Sequence, residues 1–344
     1  MTEIVARLSR SRGVLRVLAG AAGLVLVAAG AVGLRPEPAA SQPLVRHHDE
    51  AAPRSATLAR AAAHGLDRGL FTSSPGGIVA TAAPVARWRP LIARAARGSG
   101  FSERLFEGLV FVESSGRPDV VAGGDVSGAT GLTQIVAATG SHFLHMRVNV
   151  GKSRQLTRRI YGAERRGHHV RVRQLAARRR HVDERFAPMK SLRATVRYLR
   201  TARGYLGRDD LAIESYHMGI GNLQHVIAAY GGRRPSYVAL YFGSSPDSHA
   251  AAWRLLASLG DMSRDYYWKV LAAERVMRLY RHDPAALAYE AHLQGRKNSA
   301  EEVMHPRPST PRFGTPNDLV QAWKDHVLRA IPRVARCARP VVRT

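Results

Sequence analysis

The chain has 344 residues, enough for one sizeable domain with extensions or for two small ones. Its 45% hydrophobic content is ordinary for a globular protein, but 52 Lys and Arg against 26 Asp and Glu leave a formal charge of +26, a field that draws anionic partners. The one cysteine, Cys337, excludes an internal disulfide and any Cys-based zinc site, and no motif in the chain implies a metal or another cofactor.

Residues 1–34 read as a targeting segment. Arg7, Arg10, Arg12 and Arg16 precede residues 17–34, eighteen positions without a charge, close to the ~20 apolar residues that span a bilayer. The basic flank places the remainder of the chain outside the cytoplasm. Ala and Gly keep the run moderately hydrophobic, so it serves either as a membrane anchor or as a cleaved signal peptide. No Cys follows it to carry a lipid. Residues 35–83 then read as a linker, with Pro36, Pro38, Pro43, Pro53 and Pro75 spread among Ala, Ser and Gly, and with a short helix possible near 57–63.

A domain is expected to begin at Pro84 and run to about 290. Trp88, Leu91, Ile92 and Ala95 predict a helix over 85–97 closed by Gly98. Ser102 is a good N-cap for the next helix, because its hydroxyl can accept from the first-turn N–H groups. Leu105, Leu109 and Glu113 fall at i, i+4 and i+8, one row down that helix, with Phe106 and Val110 in the adjoining row. Glu113 thus ends an apolar row, just before Ser114, Ser115, Gly116 and Pro118 stop the helix. A carboxyl facing partly into a core should have a raised pKa, as a general acid requires. The plainer alternative is a Glu that caps a helix end or pairs with an Arg.

A Gly-rich loop over 116–131 follows, and Gly131, Leu132, Thr133 and Gln134 are expected to open another helix. Between Lys152 and His181 stand eleven Lys or Arg and one acid, Glu164, together with His168, His169 and His181. Leu156, Ile160, Val170, Val172 and Leu175 predict one or two helical pieces there. This insertion, 152–181, either docks on an anionic polymer or nucleic acid or is a solvated surface feature. From Pro188 onward the period is clean. Helices are predicted over 188–205, from Asp209 or Asp210 to a break at Gly219 and Gly221, then to Tyr230, and again over 236–241, 250–259 and 266–281. No segment alternates like a strand, and residues 291–344 form a Pro-rich extension with one amphipathic stretch near 319–328. The expected class is mostly α.

Three motifs lie in order on these elements: Glu113-Ser114-Ser115, then residues 128–134 (Gly-Ala-Thr-Gly-Leu-Thr-Gln), then residues 215–222 (Ser-Tyr-His-Met-Gly-Ile-Gly-Asn). Over about residues 84–245 they resemble the soluble lytic transglycosylase (SLT) domain, a relative of goose-type lysozyme. Thr133 stands where that family has Met, His217 where it has Asn and Ile220 where it usually has Pro, and the second gap is longer.

The resemblance implies a lysozyme-like fold and cleavage of the β-1,4 bond between N-acetylmuramic acid and N-acetylglucosamine in peptidoglycan. It implies Glu113 as sole acid and base, releasing a 1,6-anhydromuramic end. Asp119 and Asp125 are the near candidates for a second carboxylate, which most glycosidases use. Ser114, Gln134, Tyr216, His217 and Tyr237 are the expected substrate-binding residues, with Tyr216 reaching toward the glutamate. Three of them have a simpler reading: Ser114 bonding its own backbone, Gln134 bonding a loop carbonyl, Tyr216 as core with a satisfied hydroxyl. The partners so implied are peptidoglycan glycan strands; the charge of the insertion adds anionic wall polymers or lipid, the N-terminal segment adds a membrane, and nucleic acid is set aside. The expected location is extracytoplasmic. The alternatives are a muramidase that hydrolyses the same bond, or a catalytically silent module that binds cell wall or anionic polymer.

Overall fold

The computed structural model describes residues 52–231, 234–259 and 263–295, and these are mostly α-helical. The expected targeting segment 1–34 and the extension beyond 295 lie outside the described residues. Among the described residues no helix is long and apolar enough to cross a membrane.

Three helices open the described chain: α1 (Ala52–Ser73), α2 (Ile78–Ala86) and α3 (Arg89–Ala96). They correct two expectations. Residues 52–83 are not linker, because α1 buries Ala59 and Phe71 in the main core and α2 buries Ile78, Ala82 and Val85 there. The stripe on α1 is Ala-rich and interrupted by Asp67, so its period is faint in the sequence. Asp67 is itself buried, 3.3 Å from the Arg275 guanidinium. The single helix expected over 85–97 is two helices. Pro90 sits in the first turn of α3, where its missing N–H is harmless; inside a continuous helix its ring would strike the carbonyl four residues back.

Helix α4 (Glu103–Ser114) forms as its sequence predicts. The Ser102 hydroxyl accepts from the Leu105 N–H at 3.1 Å, and Leu105, Phe106, Leu109 and Val110 are buried. The helix ends where Ser115 turns left-handed (φ 53°) and Gly116 follows (φ 73°). A Cβ on Gly116 would lie 2.6 Å from the Val85 nitrogen, so the turn that presents Glu113 needs glycine there.

Residues 131–134 do not open a helix. They are the turn of a two-strand antiparallel ribbon, β1 (Ala129–Thr130) and β2 (Ile135–Val136), with Thr130 opposite Ile135. Gly131 (φ 81°) and Gln134 (φ 49°) both take left-handed conformations, which rules out helix at this point. The insertion is a helical hairpin, α5 (Val150–Glu164) and α6 (His169–Val182), with its own small core of Ile160, Ala163 and Leu175.

Beyond it come α7 (Pro188–Leu206), α8 (Asp209–Met218), α9 (Ile220–Tyr230), α10 (Tyr237–Gly243) and α11 (Ala250–Ser258). Gly219 (φ 85°) makes the break between α8 and α9, while Gly221, expected to share it, lies inside α9. Helices α12 (Tyr266–His282) and α13 (Pro284–Gly295) complete the domain, and α13 runs past the expected boundary at 290.

The core is built around α12, which packs on α1, α2, α4, α8 and α13. Its closest partner is α4, running antiparallel. At their crossing Gly108 lies against the backbone of α12; a Cβ there would stand 2.6 Å from the Val270 carbonyl oxygen. This close approach brings the C-terminal end of α4 to the N-terminal end of α12. Replacing Gly108 by Ala should therefore lower stability by about 1–3 kcal/mol from overpacking, although Ala is the better helix former by ~1 kcal/mol. A denaturant midpoint equal to or above that of the parent would contradict the crossing.

Candidate active site

Glu113 ends the apolar row of α4 half-buried, and its Oε1 accepts a hydrogen bond from the hydroxyl of Tyr266 at 2.6 Å. Tyr266 is the first residue of α12 and is buried. The two are 153 residues apart in sequence and meet because α4 and α12 cross antiparallel at Gly108. Burial pushes the Glu113 carboxyl up to about 7, against smaller downward pulls from the Tyr266 hydroxyl and from the charge of Lys269 one turn along α12. At neutral pH this carboxyl is therefore divided between its acid and carboxylate forms, the state from which one group can both give and take a proton.

Tyr266 packs against two rings from α8. Tyr216 stacks on it with centroids 6.3 Å apart, and His217 stacks on it at 5.2 Å. Tyr216 donates its hydroxyl to the Thr133 carbonyl at 2.7 Å, so it reaches the second motif and supports Tyr266 from the side. The His217 Nδ1 lies 2.9 Å from the Ser263 hydroxyl. Glu113, Tyr216 and His217, drawn from the first and third motifs, thus gather around a tyrosine that belongs to none of the three.

The other expected binding residues are placed differently. Ser114 is buried, and its hydroxyl donates to the Leu132 carbonyl at 2.7 Å. It fastens α4 to the turn of the ribbon, so the expectation of a substrate contact is corrected to a backbone one. The Gln134 amide donates to the Gly131 carbonyl at 2.8 Å and closes that same turn. Tyr237 is fully buried against Trp268, its ring 5.4 Å away, and its hydroxyl donates to the Arg264 carbonyl at 2.5 Å. It lines no cleft. Its phenol has a polar handle satisfied by backbone, which makes it core.

Neither candidate for a second carboxylate joins Glu113. Asp119 accepts from Arg179 at 2.7 Å. Asp125 bonds its neighbour Ser127 and then Arg154, and these bonds hold it at about 2. Two open hollows on the surface also lie elsewhere. One of about 520 Å³ includes Gly207, Asp210 and Tyr267, and one of about 680 Å³ sits at the turn of the α5–α6 hairpin.

Tyr266 escapes the sequence because the helix over 266–281 shows an apolar period that accounts for it as core. Its partner lies more than a hundred residues away. Glu214 escapes for a related reason. It is a fully buried carboxyl on α8, one turn ahead of His217, and its Oε2 accepts from the Tyr267 N–H at 2.8 Å. Burial raises its pKa well above the carboxylate range. By capping the first turn of α12, Glu214 fixes the helix end that carries Tyr266.

Two outcomes follow for Glu113. Its folded pKa is raised above the ordinary 4.5, so the native state binds that proton more tightly than the unfolded chain. The stability it contributes is fully present below about 4.5 and is lost as pH rises through about 7. Glu113→Gln should therefore gain stability relative to the parent as pH rises between these limits, reaching roughly 1–3 kcal/mol by pH 8, as followed by urea unfolding. A constant difference across that range would exclude the raised value. In Tyr266→Phe the hydroxyl that favours the carboxylate is gone, so the Glu113 titration should move upward. Carboxyl-selective NMR titration measures this, and a midpoint that falls would contradict the hydrogen bond.

No family model matches the chain, and no curated protein and no solved structure matches it either.

Proposed function

We propose that this domain is a peptidoglycan lytic transglycosylase, cleaving the β-1,4 bond between N-acetylmuramic acid and N-acetylglucosamine. The observation that carries this reading is a single half-buried carboxyl, Glu113, raised to about 7 and held by one tyrosine hydroxyl.

The protonated Glu113 gives its proton to the glycosidic oxygen while the bond from that oxygen to muramic C1 breaks. Positive charge grows on the ring. The carboxylate left behind is the form that Tyr266 favours through its hydrogen bond, so the developing anion meets a donor already in place. Glu113 then takes the proton of the muramic 6-hydroxyl as that oxygen closes on C1. The net reaction yields a 1,6-anhydro end and a free hydroxyl, consumes no water and returns Glu113 to its acid form. One group of pKa near 7 suits both half-steps, and the carboxylates of Asp119 and Asp125 are committed to arginines. The wall substrate fits a chain led outside the cytoplasm by residues 1–34.

The test is mass spectrometry of products from purified sacculi. Anhydro ends are expected; reducing ends, heavier by one water, would make the enzyme a hydrolase. Glu113→Gln should keep the fold and lose about 10²–10⁴-fold in rate. Activity should fall as pH rises through about 7, and in Tyr266→Phe that alkaline fall should move to higher pH. Intact sacculi, with neither kind of new end, would leave the fold without this chemistry.

A further inference from the structure

The α5–α6 hairpin takes no part in the chemistry above, yet it is the most strongly charged feature of the described chain. It is not a loose solvated insertion. Its base is fixed by Arg179, which is 1% exposed, reaches the Thr157 hydroxyl at 2.9 Å and Asp119 at 2.7 Å, and lies over the Phe186 ring. Asp183, at the end of α6, accepts from Ser153 at the start of α5 at 2.8 Å. Arg179 is therefore structural and does not belong among the surface charges. The other ten cations between Lys152 and His181 are exposed. Among the described residues only Arg154 of these ten is in an ion pair, with Asp125.

The far end of the hairpin differs from the rest. An open hollow of about 680 Å³ sits over the turn, lined by Arg166, His168, His169, Val170, Arg171 and Gln174. Val170 is 61% exposed at its rim. Cations alone would suit any polyanion. An exposed aliphatic side chain set among them suits a surface with two layers, phosphate outside and hydrocarbon just beneath.

We propose that the tip of this hairpin docks on a bilayer rich in anionic phospholipid. Arg165, Arg166, Arg171 and Arg173 meet the headgroup phosphates, and Val170 enters the acyl boundary. The arm is rigid at its base, so docking sets the orientation of the domain on the surface as well as its distance. This goes beyond the proposed glycan chemistry and does not rest on it.

The test uses the full chain and co-sedimentation with phosphatidylglycerol vesicles against phosphatidylcholine vesicles, so that binding by residues 17–34 is common to every protein compared. Replacing the four arginines by Gln should lower phosphatidylglycerol-dependent binding roughly ten-fold or more at physiological salt. Val170→Ser should keep binding at low salt and lose the part that survives high salt, because the screened charges no longer hold it there. In Val170→Trp the added indole should be quenched by brominated phosphatidylglycerol. All these positions are exposed, so the variants should unfold at the parent temperature. Two results would overturn the proposal: no quenching at position 170, or Val170→Ser matching the parent at every salt. If soluble polyphosphate or DNA then binds as tightly as the vesicles do, the arm is a polyanion site instead.

Discussion

The guanidinium of Arg185 is wholly inaccessible, and much of the structure around the second motif hangs on it. It meets both oxygens of buried Asp183, from Nε at 2.9 Å and Nη2 at 2.8 Å. Its remaining donors go to the carbonyls of Val126, Gly128 and Ile135. A buried charge is tolerable only when paired and fully hydrogen-bonded, and removing one partner of such a pair costs about 3–5 kcal/mol. Arg185 meets both conditions. One side chain thereby locks the Gly-rich loop, the ribbon β1–β2 and the base of the hairpin to the start of α7. Gly131 must be glycine for the same reason, since a Cβ would stand 2.1 Å from the Arg185 carbonyl oxygen.

From that frame the supports of the candidate site follow in sequence. The locked ribbon turn offers the Leu132 carbonyl to Ser114 and the Thr133 carbonyl to Tyr216. Ser114 thus anchors the helix end beside Glu113, and Tyr216 anchors the ring that flanks Tyr266. The motif residues are mostly holders, and the group that touches the carboxyl is supplied by the central helix. The geometry divides the labour between a rigid turn, which positions, and α12, which tunes the acid.

How much of this was legible depends on range. The row Leu105, Leu109, Glu113 and the cap at Ser102 are local, and both appear in the structure as their spacing implies. The helical pieces of the insertion and the helix from Pro188 were legible for the same reason. Partners were not. Ser114, Gln134 and Tyr237 stand at positions that match the motifs of the family the chain resembles, but their hydrogen bonds go to backbone that only the folded chain brings near. Tyr266 and Glu214 were hidden inside ordinary helical periods. The turn at 131–134 misled because a Gly followed by apolar and amide residues also fits a helix start, and the left-handed Gln134 is set by its own amide bond to Gly131. Helix α1 misled because alanines bury well but mark a period weakly.

Glu113 and Tyr266 are 153 residues apart, so the environment that raises the carboxyl forms late. In a nascent chain emerging from its N-terminus, α4 is complete long before α12 has been made. Until α12 docks, the carboxyl is hydrated, sits near its ordinary 4.5 and is ionised at neutral pH. It then has no proton to give. The proton-carrying form therefore comes into being only with the last helices of the domain, so completion of folding itself acts as a safety catch on this carboxyl.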